Sequence, residues 1–313
     1  MSESEKVQLV RVLEPQEGQR LDNFLLRRLK GVPRSRIYWL IRRGEVRVNK
    51  KRCKPDRKLE GGDEVRIPPF AAGPEQKLGK PTPGLQEMLL ANLLYEDEEL
   101  LVINKPAGLS VHGGSGVRLG LIEALRQIKP EWKQLELAHR LDRDTSGCLV
   151  IAKTTGFLKH IQTALKEKRV QKHYFALVHG SWPESTKEVA APLLKNELSS
   201  GERIVKVARE GKASLTRFAV LERFRGATLV EAMPETGRTH QIRVHCQYAG
   251  HSIVGDSKYG AKGPDSDLNR VKSLCLHAAR IHFTAPHKAA PLEVSAPMDK
   301  MLESVLAKLE KGH

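Results

Sequence analysis

Apolar positions in the first sixty-odd residues fall into two helical periods followed by two short alternating runs. Leu21, Phe24, Leu25 and Leu29 recur at the spacing of one helix face, and Gly31-Val32-Pro33 ends that segment. A second helix starts near Arg34 and turns Ile37, Leu40 and Ile41 inward, leaving Arg36, Trp39, Arg42 and Arg43 on the opposite side and Gly44 as its stop. Glu45-Val46-Arg47-Val48 then alternates like a strand, Asn49-Lys50-Lys51-Arg52 turns, and Asp63-Glu64-Val65-Arg66-Ile67 alternates again behind Gly61-Gly62. The pattern predicts a small helix-helix-strand domain over residues 1–68. A Pro/Gly-rich stretch with few apolar residues, 69–84, reads as a linker. In the remaining 85–313, Leu100-Leu101-Val102-Ile103-Asn104, the run from Cys148 to Ala152 and Tyr174-Phe175-Ala176-Leu177-Val178 read as strands, and Met301 to Leu309 as a short amphipathic helix. No regular strand-helix alternation is sustained, so the larger domain is expected to be α+β with a central sheet rather than doubly wound.

Charge changes the picture of the small domain. The 313-residue chain carries a formal net charge of +16, and residues 20 to 58 alone hold 15 Lys or Arg against three acids, Asp22, Glu45 and Asp56. A polyanion is the partner such density suits, because cationic side chains release counterions from phosphates. Arg34, Arg36, Arg42, Arg43, Lys50, Lys51 and Arg52 are the candidate contacts, with Trp39 expected to stand exposed beside them. The longest apolar stretches fall far short of the roughly 18 residues a membrane span needs, and the N-terminus shows no secretory leader, so a cytosolic protein with no membrane partner is expected. The four cysteines, Cys53, Cys148, Cys246 and Cys275, are scattered without a C-x-x-C pair, which argues against a zinc site or a disulfide framework.

Among motifs that carry chemistry, the chain lacks a phosphate loop, a dinucleotide-binding G-x-G-x-x-G, an H-E-x-x-H and a nucleophile elbow, so no nucleotide or metal cofactor is expected. His112-Gly113-Gly114-Ser115-Gly116 reads as a plain turn more readily than as a phosphate cradle. His240 and His245, five apart without an accompanying acid, read as structural or surface histidines. The densest polar cluster is His139-Arg140-Leu141-Asp142-Arg143-Asp144-Thr145-Ser146-Gly147, directly before an apolar strand; on composition alone it is a self-capping turn, with Asp144 a turn former near Arg143.

That cluster nevertheless resembles, nearly residue for residue, the H-R-L-D-x-x-T-S-G signature of the RluA type of pseudouridine synthase. Three further segments resemble the same family in order: Tyr95 to Gly108, Lys172 to Gly180, and Thr236-Gly237-Arg238-Thr239-His240-Gln241-Ile242-Arg243-Val244-His245, the last followed by Gly255 to Gly260 and Leu276-His277-Ala278. The N-terminal segment is similar to the S4 RNA-binding domain, a pairing that looks most like the branch acting on large-subunit ribosomal RNA. The resemblance implies a pseudouridine synthase fold with a central mixed, largely antiparallel sheet, a cofactor-free isomerisation of uridine, and large-subunit ribosomal RNA as the partner of what is taken to be a monomer. It implies Asp142 as the catalytic carboxylate, acting on the base, on the sugar, or as a proton acceptor, and these three routes stay open. It further implies Arg243 as the ion-pair partner that keeps a shielded carboxylate charged, Tyr174 as the stacking surface and proton relay, Arg140 as the wedge filling the gap left by a flipped-out base, and Leu276 as the apolar floor. A non-catalytic RNA-binding protein or a magnesium-dependent nuclease built on Asp142 and Asp144 are the alternatives.

Overall fold

The computed structural model describes residues 7–29, 32, 34–69, 79–113, 119–132, 134–197, 203–260, 267–286, 288 and 290–310. Most of the expected linker, the helix-ending Gly31 and Pro33, the side chain of Arg34, and Gly114-Ser115-Gly116 lie outside the described residues. The chain divides into two compact units, Met1–Leu78 and Gly79–His313.

The first unit contains β1 (Gln8–Arg11), α1 (Leu21–Arg28), α2 (Arg34–Arg43), β2 (Arg47–Val48) and β3 (Glu64–Ile67), its strands antiparallel in the order β1-β3-β2. The predicted helix faces are the buried ones: Leu21, Phe24, Leu25, Ile37, Leu40 and Ile41 pack with Val48 and Val65, each such side chain contributing about 1.5–3 kcal/mol through burial. Asp22 ties α1 to α2. Its nearly buried carboxylate accepts Nε and Nη2 of Arg20 at 3.1 and 2.7 Å and the Tyr38 hydroxyl at 2.8 Å, and the Arg20 bonds hold it at about 2, far below the usual carboxylate range. The hairpin after β2 takes a left-handed backbone at Asn49 (φ 49) and Lys50 (φ 67), as a tight two-residue turn requires, and Asn49 fastens it by donating to Asp63 at 2.6 Å and accepting the Glu64 amide at 2.8 Å. Trp39 departs from expectation. It is half-buried beneath its own helix's cations, with the guanidinium of Arg36 4.0 Å and that of Arg43 4.8 Å from the ring centre, because stacked guanidinium planes cover an indole well. Arg36, Arg42, Arg43, Lys50, Lys51 and Arg52 are all exposed.

The second unit opens with α3 (Pro83–Ala91), capped by Thr82 Oγ1 accepting the Leu85 amide at 3.3 Å, so that Pro83 and Gly84 form a first helical turn where a linker was expected. There follow β4 (Leu93–Glu96), β5 (Leu100–Lys105), α4 (Leu121–Ile128), β6 (Glu136–Leu137), β7 (Ser146–Ala152), α5 (Thr155–Lys166), β8 (Gln171–His179), β9 (Glu188–Ala190), β10 (Leu193–Glu197), β11 (Arg203–Val207), β12 (Leu215–Phe224), β13 (Ala227–Pro234), α6 (Gln241–Tyr248), β14 (Leu276–Phe283), β15 (Leu292–Ser295) and α7 (Lys300–Glu310). Ten strands form one sheet along the path β4-β5-β7-β14-β8-β13-β12-β9, with β6 on β7 and β15 on β14. Every pairing in it is antiparallel except β7 with β14. The fold is therefore mixed α+β with a large, mostly antiparallel sheet. A separate ribbon pairs β10 with β11.

The uninterrupted apolar runs of β5 and β7 have a simple cause. Leu100, Val102 and Val150 face Phe157 and Ile161 of α5, while Leu101, Ile103, Leu149 and Ile151 face Leu89 of α3 and Leu121 and Leu125 of α4, so both faces of these strands are covered. At the other end α6 and α7 cover β8 and β13 through Ile242, Cys246, Leu302 and Leu306. No helix among the described residues is long and apolar enough to cross a membrane. Cys148, Cys246 and Cys275 are buried free thiols, and Cys53 is partly exposed.

Candidate active site

The polar cluster before β7 is held by the single parallel pairing in the sheet. His277 and Ala278 of β14 lie opposite Ser146 and Gly147, and Ser146 Oγ meets Nδ1 of the buried His277 at 2.9 Å. Gly147 has φ +106, and a Cβ there would run into the backbone of Ala278, so only glycine lets β14 approach this closely. On the other side Lys105, at the end of β5, is wholly buried. Its ammonium donates to the carbonyls of Pro106, Leu109 and Arg143 at 2.8, 2.9 and 2.9 Å, tying the Asp142 loop to the turn after β5. Burial lowers this amine to about 8, against the pull of the carboxylates of Asp144, Asp142 and Asp299. His139 is pinned by accepting the Val150 amide at Nε2, 3.2 Å away, and burial lowers it to about 4, so it is neutral. Asp142 is thus presented from a loop fixed at several points.

Facing it is the first turn of α6. The loop Thr236 to Thr239 is drawn together by the buried Gln241, whose Oε1 accepts Thr236 Oγ1 at 2.6 Å and the Arg238 amide at 3.1 Å while Nε2 donates to the Leu215 carbonyl at 2.9 Å. Two residues on, Arg243 is buried. Its nearest partner is not Asp142. Nε and Nη2 form a two-pronged pair with Asp256 at 2.7 and 2.6 Å, leaving Nη1 to face Asp142 Oδ2 at 3.8 Å. Asp256 also accepts the amides of Lys258 and Tyr259, each at 2.9 Å. Burial alone would push Asp256 up, but the Arg243 hydrogen bonds and charge outweigh it and leave the carboxyl below its ordinary value. His240 is the second group turned toward Asp142, with Nε2 3.8 Å from Oδ2.

These elements enclose a cavity of about 320 Å³ lined by Asp142, Tyr174, Arg243, Leu276 and Arg140 together, a size that suits a small ligand or a single extruded base. Leu276 is buried at the start of β14, Arg140 is exposed, and Tyr174 lies in β8 opposite Ala278. Burial, and then the nearby charge of Asp142, push the Tyr174 phenol above its ordinary value, so it stays protonated. Lys172 lines the same cavity from the same strand face as Tyr174, two residues earlier, and burial lowers its amine to about 8. Asp144 does not converge with Asp142. It pairs with Arg143 at 3.0 Å, and among the described residues no three or more His, Cys, Asp or Glu side chains gather as metal ligands would. His245 is a core histidine, bonded to Thr216 Oγ1 at 2.9 Å and Ser214 Oγ at 3.1 Å. Sequence reasoning left Asp256, Tyr259, Lys105 and Lys172 without roles and read His240 as a structural or surface histidine. The available signal was their place inside the matched segments.

Comparison with known proteins accords with this geometry. Residues 99–248 match the family described as RNA pseudouridylate synthase, and residues 19–65 match the S4 domain. The chain is 53% identical over 311 residues to the ribosomal large subunit pseudouridine synthase C of Salmonella typhi, covering 97% of each chain. It is 52% identical over 317 residues to the protein of that name from Escherichia coli (strain K12), covering 99% of each. Among solved structures, the human RNA pseudouridylate synthase domain containing 4 superposes with a TM-score of 0.61 at 26% identity, over 72% of this chain and 96% of that one. Likeness across nearly the whole length, on top of the assembled cavity, means that the chain belongs to the RNA pseudouridylate synthase family and carries an S4 domain.

Proposed function

We propose that this enzyme isomerises specific uridines of large-subunit ribosomal RNA to pseudouridine, with Asp142 as the reacting carboxylate. The observation that carries the reading is the convergence of Asp142, Tyr174, Arg243, Leu276 and Arg140 on one cavity. The named relatives, similar over almost their full length, supply the substrate class. The reaction breaks the bond from N1 to the sugar, turns the uracil and joins C5 to the sugar; the C5 proton leaves and N1 ends protonated, with no change of oxidation state. Uracil lies between the Tyr174 ring and Leu276, Arg140 fills the space the flipped base vacates, and the phenol of Tyr174 relays the C5 proton. Arg243 supplies positive charge to Asp142 while Asp256 holds its plane. Addition to the ring, capture of the sugar and abstraction of a sugar proton all begin from an ionised Asp142.

In this reading residues 1–68 grip the RNA, the segment before α3 joins, and the chain from α3 onward carries the chemistry. Large-subunit RNA tritiated at uracil C5 is expected to release its label to water on incubation with the purified protein, with or without a chelator, and small-subunit RNA is not. No release from any large-subunit RNA overturns the proposal. Replacing Arg36, Arg42 and Arg43 together by Ala is expected to leave the fold intact and to weaken RNA binding. The logarithmic salt dependence should flatten by about 2 units, since each lost phosphate contact removes roughly 0.7–0.9. Unchanged affinity across a salt titration would place the grip elsewhere.

A further inference from the structure

His240 occupies an uncommon backbone position and gives α6 no side-chain cap. It precedes α6 with φ 53 and ψ 22, a left-handed conformation uncommon outside glycine, which asparagine, aspartate and histidine adopt more often than other residues. The residue before a helix is ordinarily Ser, Thr, Asp or Asn, whose side chain caps the first turn; His240 makes no such cap. Its ring is instead suspended between two groups. Nδ1 lies 2.6 Å from Tyr259 Oη, and Nε2 faces Asp142 Oδ2 at 3.8 Å. The tyrosine oxygen also accepts the Val205 amide at 2.9 Å, and with a carboxylate facing Nε2 the arrangement that suits both ring nitrogens has the phenol donating to Nδ1. A ring that accepts at Nδ1 carries its proton on Nε2, the nitrogen turned toward Asp142.

We infer that His240 is a positioning residue for the reacting carboxylate: a neutral Nε2–H donor, fixed in its tautomer by Tyr259, that holds one oxygen of Asp142 and leaves the other free to react. The inference rests on Asp142 being the reacting carboxylate. The gap of 3.8 Å is one that closes as the base enters, since such contacts tighten in the substrate complex. Neutrality matters, because a second full cation beside Asp142 would blunt its reactivity. Burial, then the charges of Arg243 and Lys258, disfavour the imidazolium; Asp142 and Asp256 favour it, and the net effect lies below the ordinary histidine value. Among the described residues, those four charged groups and Tyr259 are the ones that act on the ring.

The test compares His240→Gln, His240→Asn and Tyr259→Phe with wild type, reading kcat, KM and the pH profile of tritium release. Gln places an amide N–H where Nε2–H stood, and its kcat is expected within about threefold of wild type. Asn suits the left-handed backbone better but does not reach Asp142, and its kcat is expected to fall about tenfold with KM nearly unchanged, the size of one positioning hydrogen bond. Tyr259→Phe removes the donor that favours the neutral ring, so the acid limb of kcat is expected to move up toward the ordinary histidine value; in His240→Gln/Tyr259→Phe that movement disappears. Equal kcat for the Gln and Asn variants, or an acid limb unmoved in Tyr259→Phe, overturns the inference. If wild type releases no tritium, or Asp142→Asn matches it, the reading of Asp142 has failed. If wild type is active, Asp142→Asn is dead and the Gln and Asn variants are alike, only the assignment of His240 has failed.

Discussion

Asp142→Asn is expected to lose tritium release by roughly four orders of magnitude or more, with RNA affinity and thermal stability close to wild type. The size follows from chemistry: an amide is neither a nucleophile nor a base, and losing the reacting group of a covalent or proton-transfer mechanism typically costs that much. The selectivity follows from structure. The ion-pair partners of the Asp142 carboxylate among the described residues, Arg243 and His240, both stand at 3.8 Å, beyond hydrogen-bond range, so an isosteric amide breaks no ion-paired hydrogen bond that holds the loop. The loop is fixed instead by Lys105, His139 and the turn from the Thr145 amide to the Asp142 carbonyl, 3.2 Å. Single-turnover release from C5-tritiated RNA, with filter binding alongside, checks both halves. Residual activity above about one per cent of wild type would assign the chemistry to another group. The three open routes share this outcome, because each starts from an ionised Asp142.

Much of the fold was legible because burial writes itself into local sequence, and the rest was not because pairing is long-range. The faces of α1 and α2 could be read from Leu21, Phe24, Ile37 and Leu40, and the cores of β5, β7 and β8 from apolar runs that exist because helices cover the sheet there. The segment from β9 to β13 alternates weakly, with Glu188, Arg217 and Glu222 exposed, and left no readable period. Nothing local shows that β7 lies parallel to β14, whose paired residues Ser146 and His277 are 131 apart. The site divides the same way. Asp142, Tyr174 and Arg243 were singled out through extended motifs, yet the motif gave only that Arg243 answers Asp142. That a second carboxylate grips it from the turn after α6 required coordinates. His240 escaped because one positive φ, invisible in a sequence, decides where its ring goes.

The second large effect belongs to that second carboxylate. Asp256→Ala is expected to cost about 3–5 kcal/mol in the unfolding free energy of the larger unit, the usual consequence of stranding one member of a buried ion pair. Four donors lose their acceptor: two nitrogens of Arg243 and the amides of Lys258 and Tyr259. Asp256→Asn should cost less, since an amide oxygen in place of Oδ1 keeps three of these bonds and only the Arg243 Nε contact becomes donor against donor. Activity should fall more evenly. With Asp256 neutral, Asp142 is the remaining full negative charge within reach of Arg243 among the described residues, and the guanidinium is expected to turn from a held counter-charge into a direct clamp on the Asp142 carboxylate. A kcat loss of at least about tenfold is expected for both variants.

Acid separates the structural share from the chemical one. Because the folded-state pKa of Asp256 is lowered, its contribution is complete above the ordinary carboxylate range near 4 and is lost as pH falls below it toward the folded value. In that window the unfolded chain binds more protons, so stability rises with pH. Chemical denaturation of the Asn variant should therefore give a shallower acid slope than wild type, and equal slopes would mean that Asp256 is not the titrating anchor. A pair cycle completes the case. Arg243→Met in the Asp256→Ala background should cost far less stability than the same change in wild type, since the stranded cation goes with it. The double variant should be less active than Asp256→Ala, because the guanidinium that faces Asp142 is gone. Full additivity in stability would show that the two side chains do not act as a unit.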